Sequence, residues 1–279
     1  MIATQAPILI TSGTGKTGRR IVQRLQQRGI PLRIGSRSAE PAFAWDDAAT
    51  WPAALSGVAA VYIVYYPDLA VPGAPETVAA FICAALANGV RRVVLLSGRG
   101  EAEALRAEQL LQNSGADWTI LRCGWFMQNF SESFFLEPVR HGELALPVGD
   151  VPEPFVDADD IADVAVAALT DARHIGRLYE LTGPRALTFA QAARAIADAT
   201  GRDIRLQPLP LPVFEQALTE QGTPADVVAF LTYLFSEVLD GRNVRITDGV
   251  QRALGREPRD FAEFARATAA TGVWSADHV

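Results

Sequence analysis

Over the first 122 residues, short uninterrupted apolar runs alternate with longer stretches of helical period. "APILIT" (6–11), "IPLRIGS" (30–36), "VAAVYIVYY" (58–66), "VRRVVLLSG" (90–98) and "ADWTILR" (116–122) are apolar without strict alternation, the pattern of strands buried on both faces. Between them, "KTGRRIVQRLQQRG", "AATWPAALSG", "APETVAAFICAALANG" and "EAEALRAEQLLQNSG" carry apolar residues at helical spacing and end in glycine. With one further strand taken between the second and third of these runs, six strand candidates are counted by residue 122, and the alternation predicts a doubly wound parallel sheet of the α/β class.

The pattern changes after residue 123. Residues 123–156 read as loop-rich, with short strand candidates around "ELAL" and "PFVD". "DADDIADVAVAALTD" reads as an amphipathic helix capped by Asp157 or Asp159, with its acidic run solvated. "RLYELTG" reads as a strand, and "TFAQAARAIADATG" as a helix capped by Thr188. Beyond the proline-rich "QPLPLP", residues 211–272 are helical in pieces. No internal repeat or low-complexity linker interrupts the chain.

Composition narrows the function. In 279 residues, 49% are hydrophobic, which is enough for a large core. A net charge of −7 speaks against a general nucleic-acid binder. No stretch approaches the roughly 18–20 apolar residues that span a bilayer, and the N-terminus lacks a secretory pattern. The only cysteines are Cys83 and Cys123, and His141, His174 and His278 have no metal-ligand spacing. The expected setting is cytoplasmic, with a small-molecule substrate, no membrane, no direct nucleic-acid contact and no metal.

Residues 13–18 read "GTGKTG" and overlap two phosphate-binding patterns. A P-loop ending at Gly15-Lys16-Thr17 needs a glycine at position 10, which is Ile10 inside the first strand. The dinucleotide pattern fits: Gly13 for the tight turn, Gly15 for the approach of the pyrophosphate, Gly18 for helix–strand packing. At the end of the second strand stands Ser36-Arg37-Ser38, where an NAD enzyme usually has a carboxylate for the ribose diol. A cation there suits a 2′-phosphate, so NADP(H) is expected in preference to NAD(H). Lys16 is the only lysine, so a Tyr-x-x-x-Lys pair is excluded by inventory. Hydride transfer depends chiefly on orientation and exclusion of water, so its absence does not forbid catalysis.

The segments "SGTGKTGRRIVQRL", "SGADWTILRCGWFMQNFSE", "PFVDADDIADVAVAALTD", "YELTGPRALTFAQAARAIADATGR" and "ALGREPRDFAEFARATAATGVW" together resemble the NmrA-like family of atypical short-chain dehydrogenases. Within it the chain is most similar to the ergot-alkaloid festuclavine and agroclavine dehydrogenase type. The resemblance implies an NADP(H)-binding Rossmann domain over residues 1–130 and a smaller C-terminal α/β substrate region over 131–279, packed on it, with some segments returning to the sheet. It puts Gly13, Thr14, Gly15, Lys16, Thr17 and Gly18 on the pyrophosphate, Ser36 and Arg37 at the 2′-phosphate, and Tyr65, Tyr66, Pro67, Ser97, Gly98, Cys123 and Gly124 beside the cofactor. Trp125, Phe126, Asn129 and Phe155 would line the substrate, with Tyr65, Tyr66 and Asn129 as catalytic candidates. Two departures stand out: Arg122-Cys123 replaces the usual Arg-Pro, and Ala104 stands where relatives carry a His four residues before the glutamate matched by Glu108. The family contains reductases of quinone and iminium-like substrates, and also non-catalytic NADP(H)-sensing regulators that act through a protein partner. Both readings stay open here, as does a homodimer.

Overall fold

The computed structural model describes residues 6–275, so His278 lies outside the described residues. The main sheet is built from β1 (Ile8–Thr11), β2 (Leu32–Gly35), β3 (Ala60–Ile63), β4 (Arg92–Gly98), β5 (Asp117–Cys123) and, after an intervening β6 (Glu143–Leu146), β7 (Arg177–Leu181). All pairs within it are parallel, in the order β2-β1-β3-β4-β5-β7, a doubly wound Rossmann-like arrangement. Five strands, not six, precede residue 124. Residues 36–59 form an isolated bridge at Ala44 and Asp47 and short helical turns instead of a strand, and the sixth strand comes from residues 177–181. The chain leaves β1 toward β2 on one side and toward β3 and β4 on the other, so β1 and β3 flank the topological switch point.

The chain divides into two compact units. The first runs to Cys123 and takes in Ala158–Leu181 and Asp248–Arg256; the second holds Gly124–Asp157, Thr182–Thr247 and the residues from Glu257 on. In the first unit, β1 and β3 are buried along their whole length, which explains their uninterrupted apolar sequence. The helix Ala102–Gln112 buries Ala104, Ala107, Glu108 and Leu111, one face at i, i+3, i+4 and i+7 spacing. Together with Val78, Phe81 and Ile82 of the helix Ala74–Ala87 it closes one face of the sheet.

The helix Ala158–Thr170 forms where it is expected and is deeply packed, with nine of its residues buried. Its acidic run is not solvated. Asp159 pairs with Arg20 and Arg24, Asp163 with Arg24 and Arg256, and the fully buried Asp160 with Arg256. Burial alone would raise the Asp159 carboxyl, but the two arginines hold it below its usual value. No cluster with metal-ligating composition occurs among the described residues.

In the second unit, β6 pairs in parallel with β8 (Arg205–Pro208), a strand that the proline-rich sequence conceals. "PFVD" forms only a bridge, between Phe126 and Val156. Thr188 caps its helix as expected and does so in a full capping box with Gln191. The core of this unit is aromatic, with Phe130 and Phe155 in edge or tilted contact with each other and each with Phe189 and Phe261. No helix among the described residues is long and apolar enough to cross a membrane.

Candidate functional site

The glycine loop leaves β1 at its carboxyl end and is fastened to β3 across the switch point. Thr11 Oγ1 donates to the Tyr62 carbonyl at 3.0 Å and accepts from the Val64 N–H at 2.8 Å, while Ser12 Oγ donates to the Val64 carbonyl at 3.3 Å. Ser12 takes a left-handed φ of 52°, which turns its carbonyl back to accept the Gly15 N–H at 2.9 Å. That carbonyl explains Gly18: a Cβ there would lie 2.2 Å from it and 2.8 Å from Gly13 Cα. Gly13 is held nearly as closely, by Ile34 Cγ2 at 2.9 Å. Gly15 is exposed and meets the Ser12 carbonyl only at 3.2 Å.

Gly15 caps the helix Lys16–Gln27 without a side-chain hydrogen bond. The first-turn N–H groups of that helix therefore face outward beside exposed Thr14 and Gly15, a cradle fitted to a pyrophosphate. Thr17 departs from expectation. Its side chain is 3% exposed and its Oγ1 accepts the Tyr62 hydroxyl at 3.1 Å, so only its backbone faces an anion. Ile10 is fully buried, which removes the P-loop reading.

At the end of β2, Ser36 Oγ lies 3.3 Å from Ser38 Oγ, and the Ser36 carbonyl accepts from Ala39 and Phe43. Arg37 is exposed, and its guanidinium has no hydrogen-bond or ion-pair partner among the described residues. The cation is free to meet an anion.

Beyond β3 the chain presents Tyr65, Tyr66, Pro67 and Asp68. The Tyr65 ring is half-buried against Trp45 with centroids 5.1 Å apart, and Trp45 Nε1 donates to the Val64 carbonyl. Tyr66 is 70% exposed. At β4, the expected cofactor contact of Ser97 is replaced by a structural one: its buried hydroxyl donates to Glu108 Oε1 at 2.6 Å, and Glu108 also accepts from Arg122. Gly98 likewise opens space for the protein itself. A Cβ on it would lie 1.7 Å from Oε2 of Glu101, which caps the helix Ala102–Gln112. Cys123 is buried with its thiol on the Leu121 carbonyl, and burial pushes that thiol far above its ordinary pKa, so it packs rather than reacts.

Two carboxyls in this region escape a sequence reading. Glu101 is 9% exposed, and its Oε2 is buried without a hydrogen-bond partner. Burial raises its pKa well above the ordinary value, and the charge of Asp68 raises it further. Asp68 is itself raised by burial, opposed by the N–H groups of Ala70 and Leu69. They follow consecutive strands of the sheet, and only that placement could have disclosed them.

In the second unit, Gly124 clears Glu153, whose Oε1 would lie 2.4 Å from a Cβ. The expected aromatic substrate wall is largely core. Trp125 is buried, stacked on Phe135 at 6.1 Å and edge-on to Phe189, and Phe155 is 1% exposed. Phe126 and Asn129 are half-exposed, and Asn129 opens a short helix, Asn129–Glu132. The buried Gln128 donates to Asp157 at 2.8 Å, a pair with no signal in the sequence.

The family profile described as NAD(P)H-binding matches residues 13–172. An NAD(P)H azoreductase of Xenophilus azovorans is 34% identical over 285 residues, covering 94% of this chain and 98% of the relative. An agroclavine dehydrogenase of Claviceps fusiformis is 35% identical over 280 residues, covering 92% and 95%. Among solved structures, the NADPH complex of an NADPH-dependent quinone oxidoreductase from Escherichia coli superposes with a TM-score of 0.76 at 23% identity, over 93% of this chain and 99% of the other, a likeness of fold.

Proposed function

The chain belongs to the NAD(P)H-binding, NmrA-like family, and from that premise we propose that it is an NADP(H)-dependent reductase of small planar acceptors, quinone or iminium-like, working without a Tyr-x-x-x-Lys pair. One observation carries the choice of cofactor: at the end of β2 the side chain is Arg37, unpartnered, where a ribose-binding carboxylate would otherwise stand. Its guanidinium matches a 2′-phosphate in charge and fork geometry. The first-turn N–H groups of the helix Lys16–Gln27, beside exposed Thr14 and Gly15, hold the pyrophosphate, while Gly13 and Gly18 keep the loop close enough to β1 and β2 for the helix end to aim at it. Tyr65, fixed against Trp45, walls the carboxyl edge of β3, and Tyr66 carries its hydroxyl outward beside it. Bound NADPH supplies a hydride from the nicotinamide C4.

Whole-length similarity to an azoreductase and a clavine dehydrogenase supports a redox reaction. The test is NADPH and NADH oxidation by the purified protein against a panel of quinones and cyclic iminium salts. Turnover with NADPH favoured over NADH is expected. Tight NADPH binding with no turnover of any acceptor overturns the reading in favour of a cofactor-sensing regulator.

A further inference from the structure

Hydride addition to a neutral quinone leaves an anion that must gain a proton, and the one lysine of this chain is at the phosphate loop. The residue that answers this need stands at the carboxyl edge of the sheet. Glu101 lies over Gly98, at the end of β4, in space open only because position 98 has no side chain. Its Oε2 has no hydrogen-bond partner, although it is nine-tenths buried. In that state an ionised carboxylate is disfavoured far more than a protonated one. Asp68, after β3, is half-buried and anchored by the Ala70 N–H on Oδ1 at 2.9 Å.

We propose, building on the reductase reading, that Glu101 holds a proton in its buried site and is the acid that protonates the reduced form of neutral acceptors. When a quinone takes up the hydride and its electron pair, it becomes a hydroquinone monoanion. The Glu101 O–H bond then breaks, an O–H bond forms on that anion, and Glu101 is left as a carboxylate. It regains a proton from solvent between turnovers. An iminium cation becomes a neutral amine on hydride addition and takes no proton, so Glu101 is needed for one acceptor class and not the other.

The charges around the pair support this assignment. Asp68 is the charge that acts on Glu101, and like charge adds to burial in keeping the Glu101 carboxyl protonated. The positive end of the helix Ala102–Gln112 opposes it, since Glu101 stands at the N-cap, but the side chain makes no capping hydrogen bond there. Other charges on neighbouring elements are committed elsewhere, Arg99 to Glu180 of β7 and Arg122 of β5 to Glu108, and Glu103 in the first turn pairs with Arg106.

The experiment compares wild type, Glu101→Gln and Asp68→Asn with NADPH and two acceptors, menadione and 2-methyl-3,4-dihydroisoquinolinium. Glu101→Gln is expected to lower kcat for menadione by about 100-fold, the lower range for a lost general acid, and to keep iminium reduction within about twofold, which also reports a folded, cofactor-loaded protein. For wild type, menadione turnover falls as pH rises and Glu101 loses its proton; Asp68→Asn removes the neighbouring charge and moves that fall to lower pH. Without cofactor, infrared difference spectra at neutral pH should show a protonated-carboxyl stretch in wild type that is missing in Glu101→Gln. A full menadione rate in Glu101→Gln, or no such stretch in wild type, overturns the proposal while leaving the reductase reading intact. Wild type inert toward both acceptors overturns both.

Discussion

The Tyr62 hydroxyl donates to Thr17 Oγ1 at 3.1 Å, inside the first unit, and so ties the start of the phosphate-loop helix to the neighbouring strand. The bond turns inward the one hydroxyl that a nucleotide-hydrolysing loop would offer to magnesium. Tyr62→Phe should lower stability by about 1 kcal/mol in urea unfolding, the net worth of one buried hydrogen bond. NADPH affinity by calorimetry should stay within about twofold, because the buried Thr17 side chain leaves only its backbone to offer a bound cofactor. A large loss of affinity would mean that the Thr17 side chain is a ligand after all.

Arg37→Ala removes an exposed cation without a partner of its own, so stability should hold. A lost charge-assisted contact to phosphate is worth about 1.5–3 kcal/mol, or roughly 10- to 150-fold in Kd for NADPH. Affinity for NADH should not change. Equal loss for both cofactors would refute the 2′-phosphate assignment.

Gly98→Ala places a methyl group where the Glu101 carboxyl now sits. The carboxyl must move, and the variant should reproduce the acceptor split of Glu101→Gln: slow with menadione, near normal with the iminium salt. At Gly18 an alanine meets backbone instead of a movable side chain, so Gly18→Ala should lose NADPH binding and cost about 2–3 kcal/mol of stability, the upper range for overpacking.

His174 is buried with Nδ1 2.8 Å from the Tyr179 hydroxyl and Nε2 accepting from Arg173. Burial lowers its pKa below the ordinary value near 6.5, with Arg173 adding to the effect. A depressed histidine is protonated more readily in the unfolded chain, so its stability contribution is whole above about pH 6.5 and is lost as pH falls from there through the folded value. Urea midpoints between pH 8 and pH 5 should fall less steeply in His174→Gln than in wild type.

Arg256→Ala strips the fully buried Asp160 of the guanidinium 2.8 Å away. Loss of one partner from a buried pair costs about 3 kcal/mol or more. Thermal unfolding of the cofactor-free protein should show it as a clear drop in Tm, with the conservative Arg256→Lys recovering part.

What the sequence discloses follows from what each feature demands of residue type. A strand buried on both faces excludes polar side chains, so β1 and β3 are plain to read. A backbone that must pass within 2.2 Å of a Cβ position permits only glycine, so Gly18 is legible. Long-range partners leave no such mark. The acidic run at 157–163 looks solvated because its arginines lie up to 139 residues away. Ser97 reads as a ligand because its true acceptor, Glu108, is on another element. Trp125 and Phe155 read as a wall because an aromatic residue is equally suited to a core. β8 is hidden by its prolines, which an edge strand tolerates.

The segment Asp248–Arg256 closes the first unit, with Gly249 packed so tightly that a Cβ would touch the Glu180 carbonyl at 2.1 Å. During synthesis, therefore, the cofactor-binding unit cannot be completed when its sheet has emerged from the ribosome. The β7 edge and the Asp160 carboxylate wait for Asp248–Arg256, which follow β7 only after the long segment Thr182–Thr247. Nascent chains halted before Asp248 carry all six strands of the main sheet and still lack both the segment that packs on β7 and the Arg256 that pairs with the buried Asp160.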